Sequence, residues 1–302
     1  MRMFAALIAA SWFAFAAGAQ RPAAVSTADL VELDVVALDR NGQSVTDLRQ
    51  DELTITEDGH PVETKTFAKV TALGSLQPDD ARVVVLLMDD IGVPITGTSP
   101  MQQIAPVVIA PMGQGDELSV VRLSSRSDEA FGDLRTARER IAGYRGGVVP
   151  FSRRDTPETM LRAVTKISNQ LEAVDRKRKV LLCLGLVAVC DVEEPPQAGT
   201  NPIWGAWVSA ISAAARANVS VYVVDPTGAR GGRNRLGNSL VDLTGGRVFA
   251  ENNFAPASEA IWREAGHYYL IGYWPPASNS ELHSIDVRVA RKGVQIHARQ
   301  RR

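Results

Sequence analysis

Residues Arg82–Met88 read RVVVLLM and run straight into Asp89-Asp90. A continuous apolar run of this length, without polar alternation, reads as a strand buried on both faces, the condition of an interior strand in a parallel sheet. The same signature recurs within Lys179–Val189 (KVLLCLGLVAV) and at Val219–Val224 (VSVYVV), with Leu118–Leu123 (LSVVRL) as a further strand. Helical patterns lie between these runs. One is expected around Met101–Met112, kinked or shortened by Pro106 and Pro111. Asp155-Thr156-Pro157-Glu158 opens another, with caps, a first-turn proline and an acid at the positive end, and Met160, Leu161, Val164, Ile167 and Leu171 form its stripe. Asn201-Pro202 starts a third, with Ile203, Trp204, Trp207, Val208 and Ile211 as its apolar face. Thr136–Ala142 and Leu240–Leu243 read as short helices, Glu129–Phe131 and Arg247–Phe249 as short strands, and Ala255–Ala265 as a last helix closed by Gly266. Strands alternating with helices predict an α/β fold with a doubly wound, mostly parallel sheet over residues 80–266.

Both ends change character. Val31–Leu38 alternates, Asn41-Gly42 is a turn, Leu53–Thr56 is a second strand, and Asp58-Gly59 leads into a third near Val62–Phe67. Residues 29–70 thus form an antiparallel β segment, and residues 72–80 a linker. Residues 268–300 return to β, with Tyr268–Trp274, Ile285–Ala290, a Lys292-Gly293 turn and Val294–Ala298. About three strands at each end are too few to bury a core alone. The expectation is one small β domain assembled from both ends, with the α/β domain inserted between them.

The chain has 302 residues, 45% of them hydrophobic, and a formal net charge of −1. This permits a sizeable core and gives no general attraction to nucleic acid or anionic membrane. Arg2, an apolar run from Met3 to Ala17 and Ala17-Gly18-Ala19 form a secretory signal over residues 1–19, with cleavage expected before Gln20. No transmembrane span is expected after cleavage, and the expected location is periplasmic or extracellular. Cys183 and Cys190 share one apolar segment, and if both lie on one continuous strand they are too far apart to bridge.

Taken in order and spacing, VELDVVALDRNGQSVTDLRQDELTITEDGHPVETKTF, RVVVLLMDD, GDELSVVRL, RKVLLCLG, VSVYVVDPTG, LTGGRVF, HYYLIGYWP and IDVRVARKGVQIHAR resemble the VWFA-related, acidobacterial-type domain proteins. The resemblance covers roughly residues 30–300. It implies a von Willebrand factor A-like fold with β segments at both ends. It also implies where a divalent metal would sit: an Asp-x-Ser-x-Ser run after the first strand, a threonine before a later helix and an aspartate after the fourth strand, oxygen ligands that suit Mg²⁺. Here Asp89 is in place, but Ile91 and Val93 stand where the serines belong. Thr156 is the candidate threonine. Leu184 or Gly185 occupies the fourth-strand position, leaving Asp90, Asp191 and Asp225 as substitutes. The expectation is a degenerate site with at most weak Mg²⁺ binding and no other cofactor.

The loop after Val224 carries Arg230, Arg233 and Arg235 among glycines, a candidate surface for a partner's carboxylates or a phosphate. No Gly-x-Ser-x-Gly or His-Glu-x-x-His occurs. The four histidines, His60, His267, His283 and His297, fall in or beside the β segments. The sequence therefore points to a non-catalytic, exported protein-binding module whose partner is another envelope or extracellular protein. The alternatives are an envelope scaffold, or a hydrolase using Asp89, Asp90 and Asp225.

Overall fold

A computed structural model describes residues 30–71, 81–113, 115–125, 134–147, 155–175, 178–185, 202–226, 240–250, 253–276 and 282–302. The secretory signal, the linker 72–80, the strand expected at 129–131, Cys190, Asp191 and the three loop arginines lie outside these residues, as does the side chain of Thr156.

Five strands form an all-parallel sheet: β5 (Arg82–Met88), β6 (Glu117–Arg122), β7 (Arg178–Leu184), β8 (Val219–Val224) and β9 (Val248–Phe249), in the order β6-β5-β7-β8-β9. The apolar runs are explained by what covers them. Successive side chains of a strand point to opposite faces. Val83, Val85 and Leu87 meet α3 (Asp155–Glu172) and α4 (Pro202–Arg216) through Leu161, Val164, Trp207 and Ile211. Val84, Leu86 and Met88 meet α1 (Thr98–Ile109), α2 (Leu134–Ala142) and α6 (Phe254–Gly266) through Met101, Val108, Ile141, Ile261 and Trp262. Helices on both faces are compatible with a doubly wound sheet. A short α5 (Leu240–Leu243) precedes β9. Pro106 stays inside α1, which begins and ends earlier than its apolar pattern suggests; Pro111 falls beyond the helix.

The ends supply two antiparallel sheets. One has the order β12-β1-β10-β4, from β1 (Val31–Leu38), β4 (Thr64–Thr71), β10 (His267–Tyr273) and β12 (Gln295–Ala298); the other is β11-β2-β3, from β2 (Leu53–Glu57), β3 (His60–Pro61) and β11 (Ile285–Val289). The single strand expected near Val62–Phe67 is two. Proline 61 ends the short β3 on a sheet edge, where its missing N–H costs nothing, and Val62-Glu63 carries the chain across to the other sheet. Between the sheets lie Leu33, Val35, Ile55, Tyr269, Ile271, Tyr273 and Ile285. The Tyr269 hydroxyl ties the 45–48 loop to this core, donating to the Val45 carbonyl (2.9 Å) and accepting from the Leu48 N–H (2.9 Å).

β1 is bounded by β10 and β12, β4 pairs with β10, and β2 pairs with β11, so nearly every ladder of the N-terminal strands runs to the C-terminal segment. Removing residues 268–302 is expected to leave residues 30–71 cleaved in limited proteolysis while the α/β region persists. Protection of residues 30–71 in the truncated chain would refute the shared β core.

Candidate functional site

The order of the parallel strands reverses between β5 and β7, because β6 lies to one side of β5 and β7 to the other. In open α/β sheets the crevice beyond the carboxyl ends of such strands is where ligands collect. Asp89 sits there. Its N–H donates to the Leu184 carbonyl (2.9 Å), and its carbonyl accepts from the Tyr144 hydroxyl (2.6 Å). Its side chain is wholly buried. Oδ1 accepts from the N–H groups of Ile91 (3.1 Å) and Gly92 (2.6 Å), and Oδ2 has no partner. Gly185, the first residue after β7, presses against it: a Cβ there would lie 2.2 Å from the Asp89 Cβ. Burial pushes the Asp89 carboxyl above the usual carboxylate range, the two N–H groups oppose that shift, and the charge of Asp90 adds to it. The same burial, with the two acids nearby, raises the Tyr144 hydroxyl above its ordinary value.

Asp90 is also buried but is fully engaged: Ser124 donates its N–H to Oδ1 (2.8 Å) and its hydroxyl to Oδ2. Ile91 and Val93 point into the two hydrophobic cores on either side of the sheet, not toward the crevice. Thr156 lies in the first turn of α3. Asp225 follows β8, two strands from β5 and so about 10 Å across the sheet. Among the described residues, then, Asp89 Oδ2 alone is a free oxygen ligand at the crevice. Sequence reasoning had no signal for Ser124 or Tyr144, whose roles arise from packing; Gly185 was noted only as a missing acid.

A raised carboxyl pKa has a signed consequence. The folded chain holds the proton more tightly than the unfolded one, so the contribution of Asp89 to stability is full below the unfolded carboxylate range and falls as pH rises through the folded value. Asp89→Asn removes this titration and is therefore expected to gain on the wild type as the pH rises from acid to neutral. That gain should vanish in acid, as urea titrations at the two pH values would show. A difference between the two proteins that is the same at both pH values would mean that the Asp89 pKa is not raised by folding.

A second cluster joins the two ends of the chain. Ligand-type atoms of Glu57, Asp58 and His283 lie within 4.8 Å of one another. Glu57 is already taken up: Oε2 accepts from the Tyr273 hydroxyl (2.7 Å) and Arg302 Nε (2.9 Å), and Oε1 from the other arm of Arg302. His283 Nδ1 lies 2.7 Å from Asp58 Oδ2, and this bond holds the Asp58 carboxyl below its ordinary range. The cluster is an ion network that closes the C-terminal end onto the β2–β3 turn.

These features define an α/β protein with a five-stranded parallel sheet, a buried acid at its switch point and antiparallel sheets made from its ends. No protein-family model matches the chain, and no curated protein matches it. Among solved structures it is similar to a mutant of the PilB minor pilin from Streptococcus sanguinis, at 13% identity and TM-score 0.39 over 60% of this chain and 58% of that one. It is also similar to the TFIIH p34 N-terminal domain, at 10% identity and TM-score 0.32 over 61% and 98%, and to the human COPII-coat protein Sec24c, at 7% identity and TM-score 0.35 over 73% and 43%. The chain thus spans less than two thirds of the pilin and of Sec24c. No described helix is long and apolar enough to cross a membrane.

Proposed function

We propose that the chain is an exported, non-catalytic protein-binding module of von Willebrand factor A type, acting in the periplasm or outside the cell, with a degenerate metal site. The supporting observation is the rim at the carboxyl ends of β5, β7 and β8. Asp89 marks its switch point, and β8 ends on the same rim at Val224, a few residues before Arg230, Arg233 and Arg235 in the sequence. A carboxylate-rich surface of an envelope or extracellular protein suits those arginines. The rival hydrolase would draw its acid–base pair from Asp89, Asp90 and Asp225; of these, Asp89 Oδ1 accepts from two backbone N–H groups and both Asp90 oxygens accept from Ser124.

Two measurements test the reading. Calorimetry with Mg²⁺ and Mn²⁺ is expected to give at most weak heats; a micromolar Kd lost in Asp89→Ala would refute the degenerate site. Pull-down with the exported chain is expected to retain an envelope partner that Arg230→Ala/Arg233→Ala/Arg235→Ala loses. Equal retention by the variant would remove the rim from the binding surface, and turnover of a screened substrate without a partner would favour the hydrolase.

A further inference from the structure

Three basic side chains gather where α6 passes into β10. His267 opens β10 opposite Thr71, and Lys69 lies opposite Tyr269. Residues two apart on a strand share a face, so Lys69 and His267 are diagonal neighbours on one face of the sheet, roughly 7–8 Å apart at their Cβ atoms and within reach of a long side chain. Arg263 precedes His267 by one helical turn, and its carbonyl accepts the His267 N–H. Its guanidinium extends to the turn after β1, where Nη1 donates to Gln43 Oε1 (3.1 Å). Arg263 Nε and His267 Nδ1 have no hydrogen-bond partner.

Among the described residues no carboxylate forms an ion pair with Lys69, Arg263 or His267. The charges that act on His267 are those of Lys69 and Arg263, and together with burial they push its imidazole below the usual range. Asp39, the acid of the neighbouring turn, gives Oδ1 to the N–H groups of Asn41 and Gln43. Lys69 and Gln43 are exposed, and Arg263 and His267 are half-buried, so the cluster is open to solvent. Like charges held together repel, and an anion among them relieves the repulsion. Two permanent positive charges and an imidazole able to take up a proton match a phosphate group, which carries about −1.5 to −2 at neutral pH and offers three strong acceptor oxygens. A carboxylate would leave one cation uncompensated. The Gln43 amide, whose oxygen is engaged by Arg263, keeps its NH₂ as a further donor.

We propose that Lys69, Arg263 and His267 bind a phosphate group, as the free ion or as a monoester, where α6 enters β10. Lys69 and Arg263 supply the fixed charge, and His267 takes up a proton when the anion binds. The site stands apart from Asp89 and the α/β rim and does not rest on the reading given above for them.

The test is NMR of the exported chain with labelled histidine rings, the His267 signal being identified by its loss in His267→Gln. Inorganic phosphate, phosphoserine and acetate are titrated at equal ionic strength. Phosphate or phosphoserine is expected to shift the His267 signal saturably, to raise its pKa, and to bind at least about fivefold more tightly than acetate. Saturation by inorganic phosphate identifies the free ion as a ligand; saturation by phosphoserine alone identifies a monoester. Lys69→Gln and Arg263→Gln should each weaken binding at least about fivefold. Without anion, each should also raise the His267 pKa, since each removes a positive neighbour. That second readout holds the three groups to one cluster even in a variant that binds nothing. Phosphatidylglycerol vesicles present a singly charged diester and are expected to leave the signal unchanged. Equal shifts with acetate, a response to vesicles alone, no response to any anion, or phosphate binding that survives both substitutions would overturn the proposal.

Discussion

Gly246→Ala is expected to lower the melting temperature by roughly 10 °C, the equivalent of about 3 kcal/mol or more in a domain of this size. Gly245-Gly246 follows α5 and feeds β9. A Cβ on Gly246 would fall 1.8 Å from the Val221 carbonyl oxygen of β8, an atom of backbone that sits in the middle of the sheet and cannot swing aside. The neighbouring Gly245 has φ +78° and lies against the backbone of Ala298 and Arg299, so the chain is confined on its other side too. Through this crossing the parallel sheet touches the C-terminal segment: Thr244 bridges Arg299, and Gln300 N–H donates to the Leu243 carbonyl at 3.0 Å. Gly205, on the exposed side of α4 with nothing within 4 Å of an added Cβ, is the control. Gly205→Ala should raise stability by about 0.5–1 kcal/mol, because only helix propensity changes. Thermal melting of both variants checks the pair; a Gly246→Ala protein that melts with the wild type would mean that β8 and β9 are not packed as described.

Arg178→Met is expected to cost about 3–5 kcal/mol, more than loss of an exposed ion pair would. Arg178 opens β7 and is buried, with Nη1 2.5 Å from Asp34 Oδ2 on β1, Nη2 3.3 Å from the Tyr222 hydroxyl, and its guanidinium over the ring of Tyr268. Burial works against its charge, but Asp34 and the two tyrosines outweigh it and hold the guanidinium above its ordinary pKa. Removing the arginine strands the Asp34 carboxylate in the protein interior, with the Asn218 amide (3.1 Å) as its remaining side-chain bond among the described residues. Asp34→Leu in the same chain should therefore recover much of the loss, since two apolar groups need no partner. Urea unfolding of the two single variants and the double gives the coupling directly. If the double variant is no better than Arg178→Met, the pair is not the link between β1 and the parallel sheet.

That link also limits how far the chain divides. From the sequence, residues 80–266 read as an insertion, and a fragment of residues 76–266 is expected to fold alone. In the structure α6 passes into β10 without an intervening loop, and Val36, Leu38, Val70 and Tyr268 form a cluster on the face of sheet opposite the β core. Asp34 on that same strand reaches Arg178. A fragment without the β strands would leave the Arg178 end of the sheet in water, where the guanidinium is readily solvated. It is therefore expected to fold with reduced stability.

The sequence by itself determined the buried strands and their alternation with helices. RVVVLLM, KVLLCL and VSVYVV carry apolar residues on both faces of the pleat, and only a sheet covered on both faces accommodates that. Alternation at the two ends likewise required a one-sided β surface and hence a partner for each. The pairing of the ends followed from their separate inability to bury a core, an argument of area rather than of residue identity. What only the tertiary structure decided is everything that depends on an approach between distant residues. Asp89 is legible as a strand-end acid, yet whether its oxygens meet a hydroxyl, an N–H or nothing is set by how Gly185 and Gly92 close around it. Asp90 looked equivalent and is bound by Ser124, 34 residues away. Glu57 and Arg302 are 245 positions apart and carry no local pattern that joins them. Local periodicity follows from the chain's own geometry, so it is written in neighbouring residues. Side-chain partners are chosen by packing, which brings together groups that no spacing in the sequence relates.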